Sequence, residues 1–318
     1  MKYYIGVDLG GTSVKAGVVS ERGKLIHKDS MPTGSHKGQD AMIADIVELC
    51  QKVAADSGIG AAFISSIGIG VPGLYDKEQG VIIYLTNLDV RQVPIRSIIQ
   101  KTFDVPVYLE NDANAAAMGE SVAGAAKEAK SSVTVTLGTG VGGGIIIDNK
   151  ILNGAFGGAG EIGHMAITIG GERCNCGRFG CWEAYASAAA LIRQAKAAAT
   201  AHPESRLAQN VGNDLSRVTG KAVFDAVDQG DETAIRVLET YLRYVAVGIT
   251  SLIAILEPEM IVIGGGLSAQ GDKLLAPITK MVEEEVFGGI RRTKIAAATL
   301  ENDAGIIGAA MLGMGTGL

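Results

Sequence analysis

Two stretches of this chain share one pattern: an apolar strand, a turn of glycine and threonine, then a second apolar strand. Residues 4–12, with Gly6, Asp8, Gly10, Gly11 and Thr12, lead into the apolar run 14–19. Residues 132–140, with Thr136, Gly138, Thr139 and Gly140, lead into 144–147. A hairpin turn needs one or two glycines, yet the second stretch carries five between Gly138 and Gly144. Close approach of the backbone to a ligand accounts for the excess. The repetition predicts two related α/β halves facing one cleft, each offering a polar turn. The plain alternative is that glycine-rich hairpins look alike by chance.

Elsewhere strand patterns alternate with helical ones, which argues for an α/β chain. Strands are expected at 64–71, 105–109, 260–263 and 294–297. Helices are expected at 40–56, 93–103, 111–124, 184–199, 220–229, 231–256, 273–285 and 304–313, and residues 154–180 read as irregular. Glycine makes up 44 of 318 residues, about twice the usual share. There is no G-X-Y period and proline is scarce, so the chain is neither collagen-like nor a low-complexity linker.

The net charge of −6 leaves no basic stripe for nucleic acid. The run after Lys2 is too short for a signal peptide. The longest uncharged run, 57–75, is broken by glycines and Pro72, so it does not read as a membrane helix. A cytoplasmic protein is expected, its four cysteines reduced or metal-bound.

The turn at Gly10, Gly11 and Thr12 is either an ordinary tight hairpin or a nest of N–H groups around a phosphate, with Lys15 adding charge. Asp8 has the hard oxygen ligands that Mg²⁺ prefers. Gly138, Thr139 and Gly140 form the second such turn. Gly264, Gly265 and Gly266 end a buried strand, where α/β sheets place ligands; they flank a nucleoside or simply link strand to helix. Gly68/Gly70/Gly73 and Gly138/Gly140/Gly143 satisfy G-x-G-x-x-G. Pro72 interrupts the first and a β-like run follows the second, so neither opens the helix that a dinucleotide fold needs. No P-loop motif is present.

Asn111 or Asp112 is a natural helix N-cap. Asp112 also stands at a strand end, where a carboxylate can take the proton of a substrate hydroxyl. Both roles can coexist. Cys174, Cys176 and Cys181 share a glycine-rich loop, and His164 is the nearby histidine. Cys₃His is a closed tetrahedral zinc set of the structural kind; the plain alternative is free thiols. Glu161 and Glu183 flank this loop. Paired carboxylates do glycosidase chemistry or accept sugar hydroxyls; beside phosphate turns the second fits better. Cys50 sits on the apolar stripe of a helix and reads as core.

Together, 111–116 (NDANAA), 137–144 (LGTGVGGG), 160–164 (GEIGH) and the cysteine loop resemble the ROK family of sugar kinases, in particular its bacterial zinc-containing members that act on glucose. The resemblance runs nearly end to end. It implies an actin/hexokinase-like (ribonuclease H-like) α/β fold, with two α/β domains around a cleft that closes on its substrates. The expected domains are 1–115 with 303–318, and 116–302 carrying the zinc loop. It implies transfer of the ATP γ-phosphoryl group to a hexose 6-hydroxyl, with Mg²⁺ and a structural zinc. Asp112 matches the family's base. Asn111, Asp112, Glu161, His164 and Glu183 match its sugar contacts, with Asn87 and Gly73 as lesser candidates. His164, Cys174, Cys176 and Cys181 match its zinc ligands. Gly10, Gly11, Thr12, Gly138, Thr139 and 264–266 match its nucleotide segments, beside Asp8, Lys15 and Gly140.

Val90 stands where many such glucose kinases carry Trp, and Trp182 where Leu is common; both are expected near the sugar. Kinases for N-acetylmannosamine, N-acetylglucosamine, fructose or allose are the nearest rivals. A non-catalytic sugar-binding regulator and a glycosidase come from other classes. The sequence opens on its first strand and is acidic, so a repressor with an N-terminal helix-turn-helix is not expected, whereas a homodimer or homotetramer is.

Overall fold

The turn at residues 10–12 joins β1 (Tyr3–Leu9) to β2 (Ser13–Ser20), which pair antiparallel with Asp8 opposite Lys15. The computed structural model describes residues 1–34, 38–85, 88–289 and 292–314. After the hairpin come β3 (Leu25–Pro32), α1 (Gln39–Asp56), β4 (Ile64–Val71), β5 (Gly73–Asp76), β6 (Val81–Leu85) and β7 (Leu88–Val93). Then follow α2 (Ile95–Gln100), β8 (Val107–Asn111), α3 (Asp112–Ala123), β9 (Ser132–Leu137), β10 (Val141–Ile147) and β11 (Lys150–Ile151). The rest are α4 (Glu183–Ala186), α5 (Ala188–Ala201), α6 (Arg206–Gln209), α7 (Gly220–Asp228), α8 (Glu232–Leu256), β12 (Met260–Gly264), α9 (Asp272–Glu285), β13 (Lys294–Ala297) and α10 (Ala304–Met311).

Contacts divide the chain into two compact units. One is Met1–Thr134 with Gly144–Leu152 and Thr299–Leu318; the other is Val135–Gly143 with Asn153–Ala298. One five-stranded sheet has the order β3-β2-β1-β4-β8, the other β11-β10-β9-β12-β13. Each is a meander of three strands with two later strands added beside its first. The internal likeness of the two glycine hairpins is therefore one of topology, which chance similarity of turns does not produce. A third, antiparallel sheet, β5-β6-β7, follows β4.

In the first unit, α1 buries Met42, Ile43, Ile46, Leu49, Cys50 and Val53, the stripe its 3.6-residue period predicts. Burial pushes the Cys50 thiol up to about 12, so it is an inert core thiol. α10 lies against β1, β4 and α3 at backbone distance. A Cβ on Gly6 would strike the Ile306 carbonyl, one on Gly68 that of Ala309, one on Gly119 that of Ala304, and one on Gly308 that of Ala115. Gly68 thus serves helix packing rather than a ligand turn. Part of the glycine excess lets one helix approach a sheet without side chains between them.

In the second unit, α8 is the central helix, packed by α4, α5, α7 and α9. Its length and hydropathy alone would let it cross a membrane, but half of its most apolar window is buried inside the protein. The helix expected over 184–199 is broken at Ser187. That residue takes extended dihedrals and caps α5, its side chain accepting from the Ala190 N–H. Trp182 is fully buried and donates its indole N–H to the Tyr244 carbonyl at 2.7 Å. Val90, on β7, is also core. Both residues expected near a sugar are buried, apolar side chains that complete a core.

Candidate active site

The first unit gathers one group of candidate residues at parallel strand ends. The register sets Asp8 of β1 beside Gly70 of β4, and Gly70 beside Glu110 of β8. Lys15 stands opposite Asp8 on the other side. The row Lys15, Asp8, Gly70, Glu110 therefore crosses four strands near the carboxyl ends of β1, β4 and β8, where open α/β sheets bind ligands. Two strand spacings, about 10 Å, separate Asp8 from Glu110. Gly70 keeps the middle of the row without a side chain.

The Asp8 carboxylate lies 3.6 Å from the Lys15 ammonium. Burial raises its pKa, and the Lys15 charge opposes that shift. Gly10 donates its N–H to the Ser13 carbonyl at 3.0 Å and accepts from the Thr33 hydroxyl at 2.7 Å. This holds the turn while Gly11 and Thr12 stay exposed at its tip.

β8 ends at Asn111 and α3 begins at Asp112. Asn111 is the N-cap: its side-chain oxygen accepts from the N–H groups of Ala113 at 2.9 Å and Asn114 at 3.1 Å. Asp112 is the first helical residue, partly exposed, with one oxygen 2.9 Å from the Ala113 N–H. The positive end of the helix favours its ionised form. Cap and candidate base are thus neighbouring residues rather than one. Gly73 lies in β5, where a Cβ would strike the Tyr84 carbonyl of β6. Asn87 lies outside the described residues.

Sequence reasoning missed Tyr75 and the role of Glu110. Glu110 is buried, and its carboxylate accepts from the Tyr75 hydroxyl at 2.6 Å, the Asn114 side-chain amide at 3.0 Å and the Asn111 N–H at 3.0 Å. The available signal was a charged residue inside an apolar strand, which burial permits only with partners.

The second unit gathers another group of candidate residues. Glu161, exposed, precedes a single 3₁₀ turn, Ile162–His164. His164 Nδ1 lies 3.7 Å from Cys174 Sγ, and Cys176 Sγ lies 3.7 Å from Cys181 Sγ. All four ligand atoms fall within 4.8 Å of one another. A zinc tetrahedron with arms of about 2.3 Å to sulfur and 2.0–2.1 Å to nitrogen has edges of about 3.8 Å between sulfurs and 3.6 Å from sulfur to nitrogen. The cluster is therefore compatible with structural zinc. Gly177 and Gly180, both at positive φ, turn the loop so that the thiols converge.

Glu183 opens α4 and reaches both ways. One carboxylate oxygen is 3.2 Å from Cys174 Sγ; the other accepts from the Val141 N–H at 3.1 Å. Gly138 accepts from the Ala188 N–H at 2.9 Å. Gly265, at φ 89°, passes so close to Leu137 that no Cβ fits. The residues Gly138, Thr139 and Gly140, the 264–266 strand end, Glu161, His164, Glu183 and the cysteines are thereby gathered within one unit.

Two α/β units, each associated with a sheet of the same strand order and a glycine turn after its first strand, define the actin-like sugar-kinase fold. The ROK family model matches residues 4–315, and this chain belongs to the ROK family. It is 38% identical to a glucokinase of Halalkalibacterium halodurans over 98% of this chain and 94% of that protein. Among solved structures it resembles a ROK glucokinase from Streptomyces griseus in complex with glucose and AMPPNP, with a TM-score of 0.79 and 36% identity over 98% of both chains. It also resembles a ROK hexokinase from Thermus thermophilus, with a TM-score of 0.83 and 33% identity over 97% of both.

Proposed function

We propose that this protein transfers the γ-phosphoryl group of ATP to the 6-hydroxyl of a hexose, with glucose as the principal substrate. The observation that carries the reading is Asp112 at the head of α3, at the same carboxyl end of the sheet as Asp8, in a chain similar over nearly its full length to glucokinases. In this reading Asp112 takes the proton of the 6-hydroxyl as its oxygen attacks the γ-phosphorus. The bond to the bridging oxygen breaks and ADP leaves. Phosphoryl transfer asks mainly for orientation and charge stabilisation. Asn111, Glu161, His164 and Glu183 engage the sugar hydroxyls, with Gly73 and Asn87 beside them.

The Gly10 and Gly138 N–H groups close their own turns; the turns of Gly10, Gly11 and Thr12 and of Gly138, Thr139 and Gly140 meet the phosphates with the remaining N–H groups at their tips, and residues 264–266 flank the nucleoside. Asp8 would hold Mg²⁺, which neutralises phosphate charge, with Lys15 alongside. His164, Cys174, Cys176 and Cys181 would hold one zinc that shapes the loop without entering the reaction. A cytoplasmic homodimer or homotetramer belongs to the same reading; light scattering on purified protein tests the assembly.

The decisive experiment couples ADP release to a panel of sugars. Glucose should give the highest kcat/KM. A higher value for fructose or an N-acetylated hexosamine would move the assignment within the family. Sugar binding without turnover would make the protein a regulator. Asp112→Asn should bind sugar and lose turnover. Retention of more than about a tenth of kcat would refute the assignment of the base.

A further inference from the structure

Asn111 closes β8 in register with Val71 of β4 and caps α3, and Asp112 follows it out of the sheet, where a strand end is mobile unless held. Here a further holding group comes from another sheet. The Tyr75 hydroxyl, projecting from β5, donates to the buried Glu110 carboxylate at 2.6 Å and accepts from the backbone N–H of Asn111 at 3.0 Å. A hydrogen bond from a phenol to a buried carboxylate is of the strong, charge-assisted kind. Burial and the neighbouring Glu110 charge both keep the phenol protonated, so it remains a donor across the working pH range.

Tyr75 is itself held at both ends of its strand. Beyond it, Arg96 bonds the carbonyls of Lys77 at 2.5 Å, Glu78 at 2.6 Å and Val107 of β8 at 3.0 Å. Before it, Gly73 passes too close to β6 for any side chain. The hydroxyl is thus a fixed point rather than a swinging group.

We propose that Tyr75 is a positioning residue for the sugar: its hydroxyl, held between Glu110 and the Asn111 N–H, fixes the strand end that presents Asn111 and Asp112 to the hexose. This rests on the kinase reading above. Phenylalanine at this position keeps the ring and removes both bonds. The Asn111 N–H then retains its bond to the Glu110 carboxylate, which has itself lost the Tyr75 donor. Asn111 and Asp112 lose a common anchor, while the glycine turns assigned to ATP are untouched.

The test compares steady-state kinetics and unliganded melting of the wild type, Tyr75→Phe and Glu110→Gln. Tyr75→Phe should raise KM for glucose about tenfold and leave KM for ATP within about twofold. Glu110→Gln keeps an acceptor oxygen for the Tyr75, Asn114 and Asn111 donors without the charge, and should raise the glucose KM by a smaller factor with ATP again unaffected. If Tyr75→Phe fails to fold, Glu110→Gln carries the test alone. A glucose KM unchanged in the folded variants overturns the inference, as does an equal rise in both KM values accompanied by lower melting temperature. A wild type without sugar-dependent ADP release overturns the kinase reading and this inference with it. An active wild type with unchanged variants overturns this inference alone.

Discussion

Replacing Gly248 by alanine puts two opposing effects in competition. Gly248 lies inside α8, and alanine there gains about 1 kcal/mol of helix propensity. The new methyl, however, would sit 2.5 Å from Cδ2 of the Trp182 indole and closer still to Cε2 and Cζ2. Ordinary carbon–carbon contact is about 3.5–4.0 Å, so the ring must withdraw by at least about 1 Å. Trp182 has no free direction to take: it is fully buried, and its N–H is bonded to Tyr244. Overpacking costs about 1–3 kcal/mol, and the strained indole bond adds about 1 kcal/mol.

The helix gain offsets part of this, leaving a net loss of about 1–3 kcal/mol. Equilibrium denaturation measures it. Trp182 also lies between Cys181 and Glu183, so bound zinc should be held less tightly. Trp182→Leu removes the ring, and on that background Gly248→Ala should become stabilising, a coupling that a double-mutant cycle isolates. A single variant as stable as the wild type would refute the packing argument.

Metal analysis should find about one zinc per chain, and Cys176→Ser should lose it. Chelation should speed amide exchange at Val141, whose N–H is held by the carboxylate beside Cys174; full activity without metal would sink the assignment. Asp8→Asn separates function from stability. A carboxyl whose folded-state pKa is raised contributes stability below its unfolded value and loses it as pH rises through the folded value. The variant should therefore melt at or above the wild-type temperature at neutral pH. Its advantage should vanish in acid, where both side chains are neutral, and Mg-dependent turnover should fall. Lower melting at neutral pH would contradict the burial argument.

Much of the site was legible because its signals are local. A turn of glycine and threonine between apolar runs specifies a hairpin, and cysteine spacing with two glycines specifies a loop that can close on a metal. A polar pair before an alanine-rich run specifies a capped helix. β3 and the small β5–β7 sheet escaped. β3 alternates half-buried residues with the exposed Ile26, Lys28, Ser30 and Pro32, the pattern of a sheet edge, and its mixed polar composition resembles a loop. Strands of four to six residues with glycine, aspartate and proline around them carry too little periodicity to register.

The sequence by itself determined the two strand–turn–strand units, most helix spans to within a few residues though not the break at Ser187, the zinc-compatible set and the Asn111–Asp112 pair. Each depends on residues near one another along the chain. Only the tertiary structure decided that β4 inserts between β1 and β8, which sets Asp8, Gly70 and Glu110 in one row. It alone divided the glycines between exposed turns and the close approach of α10, and moved Trp182 and Val90 into cores. It alone brought Tyr75 against the end of β8. These are pairings between segments far apart in sequence, chosen by which apolar faces can be buried together, and short-range periodicity does not encode that choice.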